Sequence, residues 1–188
     1  GNRKTWTFSA WVKRSEIIVA ENPLFSSRVG SDTGLLRFNG DNLQGFFRNT
    51  TGTTLGNYTT LAVFRDPSAW YHVMAILDTT QATGSNRFKM YVNNVLQELT
   101  TTTEFSLNAE TVINTTEEHG IGRQITQTSY LDGYLAEVNF IDGQALTPDS
   151  FGETGTYGEW KPIAYAGTYG TNGFYLPFEQ DYTVEGNH

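Results

Sequence analysis

Glu137 is the residue on which an enzymatic reading of this chain would have to rest. It stands in the stretch 133–141, where Tyr134, Ala136, Val138 and Phe140 alternate with Leu135, Glu137, Asn139 and Ile141. Alternation of this kind is a β-strand, so Glu137, Asn139 and Ile141 share one face. Retaining glycoside hydrolysis needs two carboxyl groups about 5–5.5 Å apart, one as acid and one as nucleophile. A carboxylate followed by an amide and an aliphatic supplies only one of them. Asp142 falls at odd spacing, and alternation sends it to the opposite face. Glu137 therefore reads as structural or solvated, and no catalytic residue is expected.

The remaining titratable groups point the same way. His72 shares a strand face with Trp70, Met74 and Ile76, the setting of a core histidine with a hydrogen-bond partner. His119 precedes Gly120-Ile121-Gly122, which is too short to cradle a phosphate. Three dispersed histidines make no zinc site, and with no cysteine there is no thiolate chemistry and no disulfide. Asp32, Asp41, Asp78, Asp132 and Asp142 fall at expected strand ends, where loops can gather oxygen ligands. None has calcium-loop spacing, and turn formation accounts for each. The expectation is no cofactor and no metal site, with a structural calcium at these aspartates as the open exception.

Aromatic residues in loops are the stronger lead. Tyr130, Tyr157, Trp160, Tyr165 and Tyr169 lie in segments without strand alternation. Exposed aromatic rings stack on the C–H faces of sugars while neighbouring amides and acids bond the hydroxyls. These five are the candidate ligand-binding residues. For Trp160 the preferred reading is a packing anchor, because Trp160-Lys161-Pro162 looks like a fastening point. Asn49, Asn57 and Asn114 head N-glycosylation sequons, which a chain rich in Asn and Thr produces by chance.

The elements that must position these residues are strands. The chain has 188 residues, the size of one domain. Charged residues are 17% and aromatic ones 14%, and 27 residues are threonine, which favours β structure over helix. The net charge of −8 argues against nucleic acid, which needs clustered Lys and Arg. No apolar run approaches the roughly 20 residues of a spanning helix, so no membrane insertion is expected. Strands are predicted at 6–13, 17–20, 24–29, 35–39, 43–48, 59–64, 70–78, 87–92, 95–100, 133–141 and 174–178. Turns are predicted at Asn22-Pro23, at 31–34, at Asn39-Gly40-Asp41, at Asp66-Pro67 and at Asn93-Asn94. The stretch 70–78 is apolar on both faces and reads as a central strand. One short helical turn is expected at 147–151, with Thr147 as cap, Pro148 at the first position and Gly152 closing it. Residues 152–173 read as one long structured loop. Period-2 alternation assigns Trp6, Phe8, Val73, Phe88, Met90, Val92, Val138 and Phe140 to the inner faces. No βαβ rhythm is present, so the fold class is all-β, a two-sheet sandwich or a barrel.

Two stretches carry a family resemblance. Trp70-Tyr71-His72-Val73, then Asp78, then Tyr91-Val92-Asn93-Asn94, resembles a signature of concanavalin A-like lectin/glucanase domains of the laminin-G and pentraxin type. Gly133-Tyr134-Leu135-Ala136-Glu137-Val138, followed by Ala145-Leu146-Thr147-Pro148, resembles that family's closing strand and turn. The opening strand Phe8–Lys13 is similar as well. A version with Phe8–Ser15, Tyr130–Glu153 and Gly170–Phe178 resembles domains in virion proteins of marine bacteriophages. The resemblance implies an antiparallel two-sheet jelly roll over one domain, residues 1–188. Asn94 stands where the family has glycine, and Leu135-Ala136 where it has Ile-Asp, which removes an aspartate from that strand.

From this resemblance follow the functional expectations. The chain is expected to be a non-catalytic domain of a larger virion protein, on a tail fibre or capsid surface, exposed at the virion exterior. Its expected partners are a cell-surface glycan and other virion proteins, and its expected assembly is a homo-oligomer, a trimer. The alternative is a capsid decoration or assembly module without a small ligand. The remote alternative is a glycan-cleaving hydrolase or lyase.

Overall fold

The computed structural model describes residues 1–17, 21–125 and 127–178. It is an antiparallel two-sheet sandwich of the jelly-roll kind. The strands are β1 (Thr5–Arg14), β2 (Glu21–Val29), β3 (Asp32–Asn39), β4 (Asn42–Arg48), β5 (Thr54–Thr60), β6 (Tyr71–Asp78), β7 (Phe88–Val92), β8 (Val95–Leu96), β9 (Leu99–Thr103), β10 (His119–Ile121), β11 (Gly133–Asp142), β12 (Gly152–Thr154), β13 (Trp160–Pro162) and β14 (Phe174–Leu176). The first sheet has the order β14-β11-β1-β6-β7-β8 and the second β10-β2-β3-β4-β5-β9, while β12 and β13 form a separate ribbon.

The core lies between the sheets and contains all eight residues assigned to it by alternation. Its facing rows are aromatic. Phe8 stacks on Phe25 at 5.1 Å, and Phe47 meets Phe88 edge-on at 5.4 Å. These rings approach closely because the second sheet sets small residues opposite large ones. Gly34 pairs with Phe47, and Gly45 with Leu36 and Tyr58. A Cβ on Gly45 would stand 2.6 Å from the Phe88 ring. Gly45 is thus a socket for a ring from the other sheet, and Gly34 receives the Ile113 side chain.

Bulges in β2 and β11 reset the alternation. In β2 the register shifts between Pro23 and Phe25, so Leu24 and Phe25 both reach the core. The expected turn at Asn22-Pro23 is therefore strand, with proline tolerated at the bulge. In β11 the register shifts opposite Ala10, and Glu137 takes a left-handed backbone with φ 52°. Tyr134 and Ala136 consequently face outward while Val138 and Phe140 face inward, which a single alternation over 133–141 cannot describe.

Other differences have local causes. The turn near 31–34 is Gly30-Ser31, with Gly30 at φ 57°, and Asp32 already begins β3. The strand expected over 59–64 ends at Thr60, because the chain leaves the sheet there and Phe64 packs edge-on against Phe38 and Tyr71. The strand expected over 95–100 is split, with β8 in the first sheet and β9 in the second. The turn at 148–150 is a 3-10 turn in which the Thr147 side chain makes no cap, and Gly152 opens β12 rather than closing the turn. The loop expected over 152–173 contains the β12–β13 ribbon. Of the strand expected over 17–20, residues 18–20 lie outside the described residues. The hairpin at Asn39-Gly40-Asp41 and the turn at Asn93-Asn94 form as expected, with φ 61° at Gly40 and 48° and 67° at the asparagines.

Alternation along β1 also places Arg14 inward, and its side chain is fully buried. It donates to the carbonyl oxygens of Phe64 (2.7 Å) and Gly40 (2.8 Å) and lies over the Phe38 ring at 4.6 Å. Burial lowers its pKa, and the nearby Asp41 works against that shift. The guanidinium ties the end of β1 to the β3–β4 hairpin and to the chain after β5. Arg14→Met keeps the volume and removes the donors, leaving the Phe64 and Gly40 carbonyls, and the more distant Ile17 carbonyl, without them. The expected loss is about 3 kcal/mol of stability, read as a lower urea midpoint at unchanged slope.

Candidate functional site

The outer faces of the two sheets differ, and that difference places the site. On the first sheet, Met74, Ile76, Ile141 and Tyr91 would be exposed. The segment 144–169 covers them and forms a second apolar cluster with Leu146, Phe151, Tyr165 and Tyr169. Thr7 Oγ1 donates to the Gln144 carbonyl at 2.8 Å, and Tyr169 Oη donates to Asn139 Oδ1 at 3.1 Å.

The fastening point is His72. Its Nδ1 lies 3.0 Å from the indole Nε1 of Trp160, and its Nε2 lies 2.8 Å from Ser9 Oγ. An indole N–H only donates, so Nδ1 is the bare acceptor and Nε2 carries the proton toward Ser9. The ring lies between Trp11, at 5.4 Å, and Trp160, at 6.0 Å. Burial pushes its pKa down to about 4. Gly152 lies under the Trp160 indole, where a Cβ has no room. His72 is thus a core histidine with partners, and Trp160 is an anchor.

The five candidate aromatics do not share one surface. Trp160, Tyr165 and Tyr169 are partly buried in the cover, with Tyr165 stacked on Phe151 at 5.2 Å and edge-on to Tyr169 at 5.2 Å. Tyr157 projects from the β12–β13 turn, 94% exposed. Tyr130 is exposed on the 122–131 loop, where it pairs with Arg123 beside the second sheet.

The carboxylates are likewise dispersed. Glu137 Oε2 accepts from Tyr175 Oη at 2.8 Å. Its neighbours on β1 are Ser9, Ala10 and Trp11, none of them acidic. Among the described residues no three His, Asp or Glu side chains group as a metal site. Asp41 pairs with Arg65, and Asp78 serves Thr80 and Gln81 in a turn. Burial opposes ionisation of Asp142, but N–H groups of Asn2, Asn114 and Asn172 outweigh it and hold the carboxyl below its ordinary value. That carboxylate is saturated by donors, which is the opposite of a cation site. His119 closes a loop, with Nε2 accepting from the Asn114 N–H and Nδ1 donating to the Glu117 carbonyl.

The outer face of the second sheet is open where β2, β3 and β4 meet. It forms a groove of about 360 Å3, within the range of small-ligand sites. Register sets its plan. Arg28, Thr33 and Arg48 lie side by side across β2, β3 and β4, and Leu35 and Phe46 form the next row. Beyond them runs a polar ladder: Glu21 accepts from Arg37, Arg37 Nε donates to Gln44 Oε1 (2.9 Å), and Gln44 Nε2 donates to Asn57 Oδ1 (3.0 Å). The floor is apolar, with Leu35 buried and Phe46 half-buried. Gln124, from the same loop as Tyr130, closes one side. A flat ring flanked by fixed amides and guanidinium groups can hold a polyhydroxylated ring by stacking and hydrogen bonding. It offers no acid–nucleophile pair. A depression of about 350 Å3 at the rim between β5, β7 and β9 is lined by Leu96, Leu99, Lys89 and Glu104 and lacks a comparable ladder.

A sequence model of the concanavalin A-like lectin/glucanases superfamily, laminin G type, matches residues 2–150. The chain belongs to this family. No curated protein is a significant sequence match. Among solved structures, domains LG4-5 of the mouse laminin alpha1 chain are 13% identical with a TM-score of 0.53, over 94% of this chain and 41% of that one. The receptor binding domain of a botulinum neurotoxin C/D mosaic serotype is 12% identical with a TM-score of 0.52, over 78% and 34%. A heptameric SAP-like pentraxin from Limulus polyphemus is 14% identical with a TM-score of 0.45, over 77% and 66%. The chain thus spans less than two thirds of each, and at these identities the likeness is one of fold. In this concanavalin A-like chain the family match ends within the cover, so residues 151–169 of it lie beyond the match.

The groove could not be found from loops. Its aromatic residue is on a strand, and its three arginines, Arg28, Arg37 and Arg48, are spread over 20 residues of the chain. Outward alternation of Thr33, Leu35 and Arg37 opposite Gln44, Phe46 and Arg48 was the available signal.

The neutral state of His72 makes the fold acid-sensitive. In the unfolded chain the ring titrates near 6.5, and in the fold near 4. The unfolded state therefore binds the proton first, so stability is full above about pH 6.5 and falls as pH drops toward 4. The His72 share lost between pH 7 and pH 5 is about 2 kcal/mol. His119, also lowered by burial, adds in the same direction. Urea unfolding across this range should show the fall, and His72→Gln should flatten it.

Proposed function

We propose that this chain is a non-catalytic glycan-binding domain whose binding surface is the groove on the outer face of the second sheet. The observation that carries the reading is the pairing of the Phe46 ring with the Glu21–Arg37–Gln44–Asn57 ladder, whose amides and guanidinium are already held in place. Preorganised polar groups beside a stacking ring are what a sugar requires, and they lose little entropy on binding. Tyr130, exposed on the loop that supplies Gln124 to the groove, is proposed as a further contact for the same ligand. Tyr157, exposed at the ribbon tip, is a separate contact point for the same class of ligand. The absence of a second acidic side chain on the β1 neighbours of Glu137 supports the non-catalytic reading.

The wider setting follows from the resemblance to virion domains. Displayed at a virion surface, a shallow site of this kind would bind weakly, and linked copies can raise avidity by about 10²–10⁴ without a new contact. A homotrimer or a repeated fibre, carried beside other virion proteins, supplies such copies. The assembly-module alternative draws support from Val95 and Leu96, both exposed on the edge strand β8.

A glycan array and titration calorimetry test the reading. Phe46→Ala should weaken the best glycan by about tenfold or more, since a ring–sugar stack contributes on the order of 1–2 kcal/mol, with the far-ultraviolet dichroism unchanged. Glu137→Gln should leave binding unaltered and reveal no cleavage activity to lose. A drop of about 100-fold in a cleavage rate on that substitution would establish an enzyme instead.

A further inference from the structure

The chain has eight arginines. Four are ion-paired: Arg3 with Glu110, Arg37 with Glu21, Arg65 with Asp41 and Arg123 with Glu118. Two spend their guanidinium groups on backbone carbonyls. Arg14 bonds Phe64 and Gly40, and Arg87 bonds Gln81, Ala82 and Phe105. Arg28 and Arg48 remain, and among the described residues neither has a carboxylate partner. Both line the groove, in one row on either side of Thr33. With strands about 4.8 Å apart, their Cα atoms are separated by about 10 Å.

Composition does not explain this pair. With 20 acidic residues against 12 basic ones, carboxylates are in excess. The groove reverses the sign of the chain: three arginines face one glutamate, a local excess of two positive charges where the whole carries −8. Arg28 donates through Nε to the Gly30 carbonyl at 3.0 Å, a bond that does not occupy its terminal nitrogens. Arg48 lies over the Phe46 ring at 5.0 Å, a cation–π contact that steadies the guanidinium over one face and leaves the rest of the ring to a sugar. A guanidinium fork matches the two oxygens of a carboxylate or sulfate.

We propose that the groove takes an acidic oligosaccharide, its carboxylate or sulfate seated between Arg28 and Arg48 and the adjoining sugar ring against Phe46. This rests on the glycan-binding reading above and assigns the ligand class. The acid group lies at the Arg28–Arg48 end, and the hydroxyls of the next residue lie at the Gln44–Asn57 end. The surrounding negative charge makes this end the attractive spot on the surface for an anion.

The test is calorimetric titration of the chain with three probes of equal length: hexagalacturonate, a heparin-derived hexasaccharide and cellohexaose. At about 50 mM salt at least one acidic probe should bind about tenfold or more tighter than cellohexaose, and the preference should shrink at about 300 mM. Arg28→Gln and Arg48→Gln should each weaken the acidic probe about tenfold while melting as the parent does, because neither side chain is ion-paired. Arg48→Lys should recover part of the loss. A carboxylate-only or sulfate-only preference identifies the oxyanion. Equal affinity for all three probes, or acidic binding that ignores both arginine substitutions, overturns the acidic-ligand proposal and leaves the glycan reading standing. Binding of none of the three, on these probes and on an array, overturns both.

Discussion

The bond from the Trp160 indole to His72 decides which face of this sandwich is covered. A two-sheet sandwich has two inner faces, buried by construction, and two outer faces that must each be explained. Here His72 accepts from Trp160 and donates to Ser9, so one neutral ring joins β6, β1 and the β12–β13 ribbon. The ribbon brings Phe151, Tyr165 and Tyr169 down onto Met74, Ile76 and Ile141. A charged imidazolium would set a donor against the indole donor and release that contact. Burial of the cover keeps the ring neutral, and the neutral ring keeps the cover in place.

With the first sheet closed, the second is the face left to meet a partner, and its inner packing sets its outer geometry. Side chains on a strand alternate, so the same residues that put Leu36 and Phe38 inside put Leu35 and Arg37 outside. Gly34 on β3 receives Ile113, Gly45 on β4 receives Phe88 and Gly56 on β5 receives Phe105, so each of these strands is fixed in its register. A slip of one residue would exchange core and groove along the whole strand. The groove is therefore as rigid as the core behind it, which is why its polar ladder can be built from single side chains on four successive strands.

Much of the fold was legible in the sequence because its signals are local. Period-2 alternation assigned the core residues from Trp6 to Phe140 correctly, and Asn39-Gly40 marked its hairpin. The double-sided apolar run at 70–78 is indeed a strand flanked on both sides, and His72 has the partners its setting required. What escaped was non-local. The bulge at Glu137 flips a face without changing composition, and nothing before it in the chain announces a left-handed glutamate. Arg14 continues the inward series Trp6, Phe8, Ala10, Val12, but a charged residue at a core position is read as an end of strand until its carbonyl partners are known. The loop aromatics were noticed for their type, yet Tyr165 and Tyr169 turned out to face the protein. The groove was missed because Arg28, Thr33 and Arg48 become neighbours only through strand pairing.

Charge placement supports the proposed reading of the open face as a site. An unpaired surface arginine costs little, since an exposed ion pair is worth about 0–1 kcal/mol, so stability alone would scatter such residues at random. They are not scattered. Arginines elsewhere are ion-paired or have their terminal nitrogens on carbonyls, and among the described residues the two whose terminal nitrogens have neither partner share one row of one groove, next to its aromatic ring. Folding gains nothing from that arrangement, because two like charges about 10 Å apart repel weakly even through water and salt. An arrangement that folding does not favour is what the proposed anionic ligand would account for.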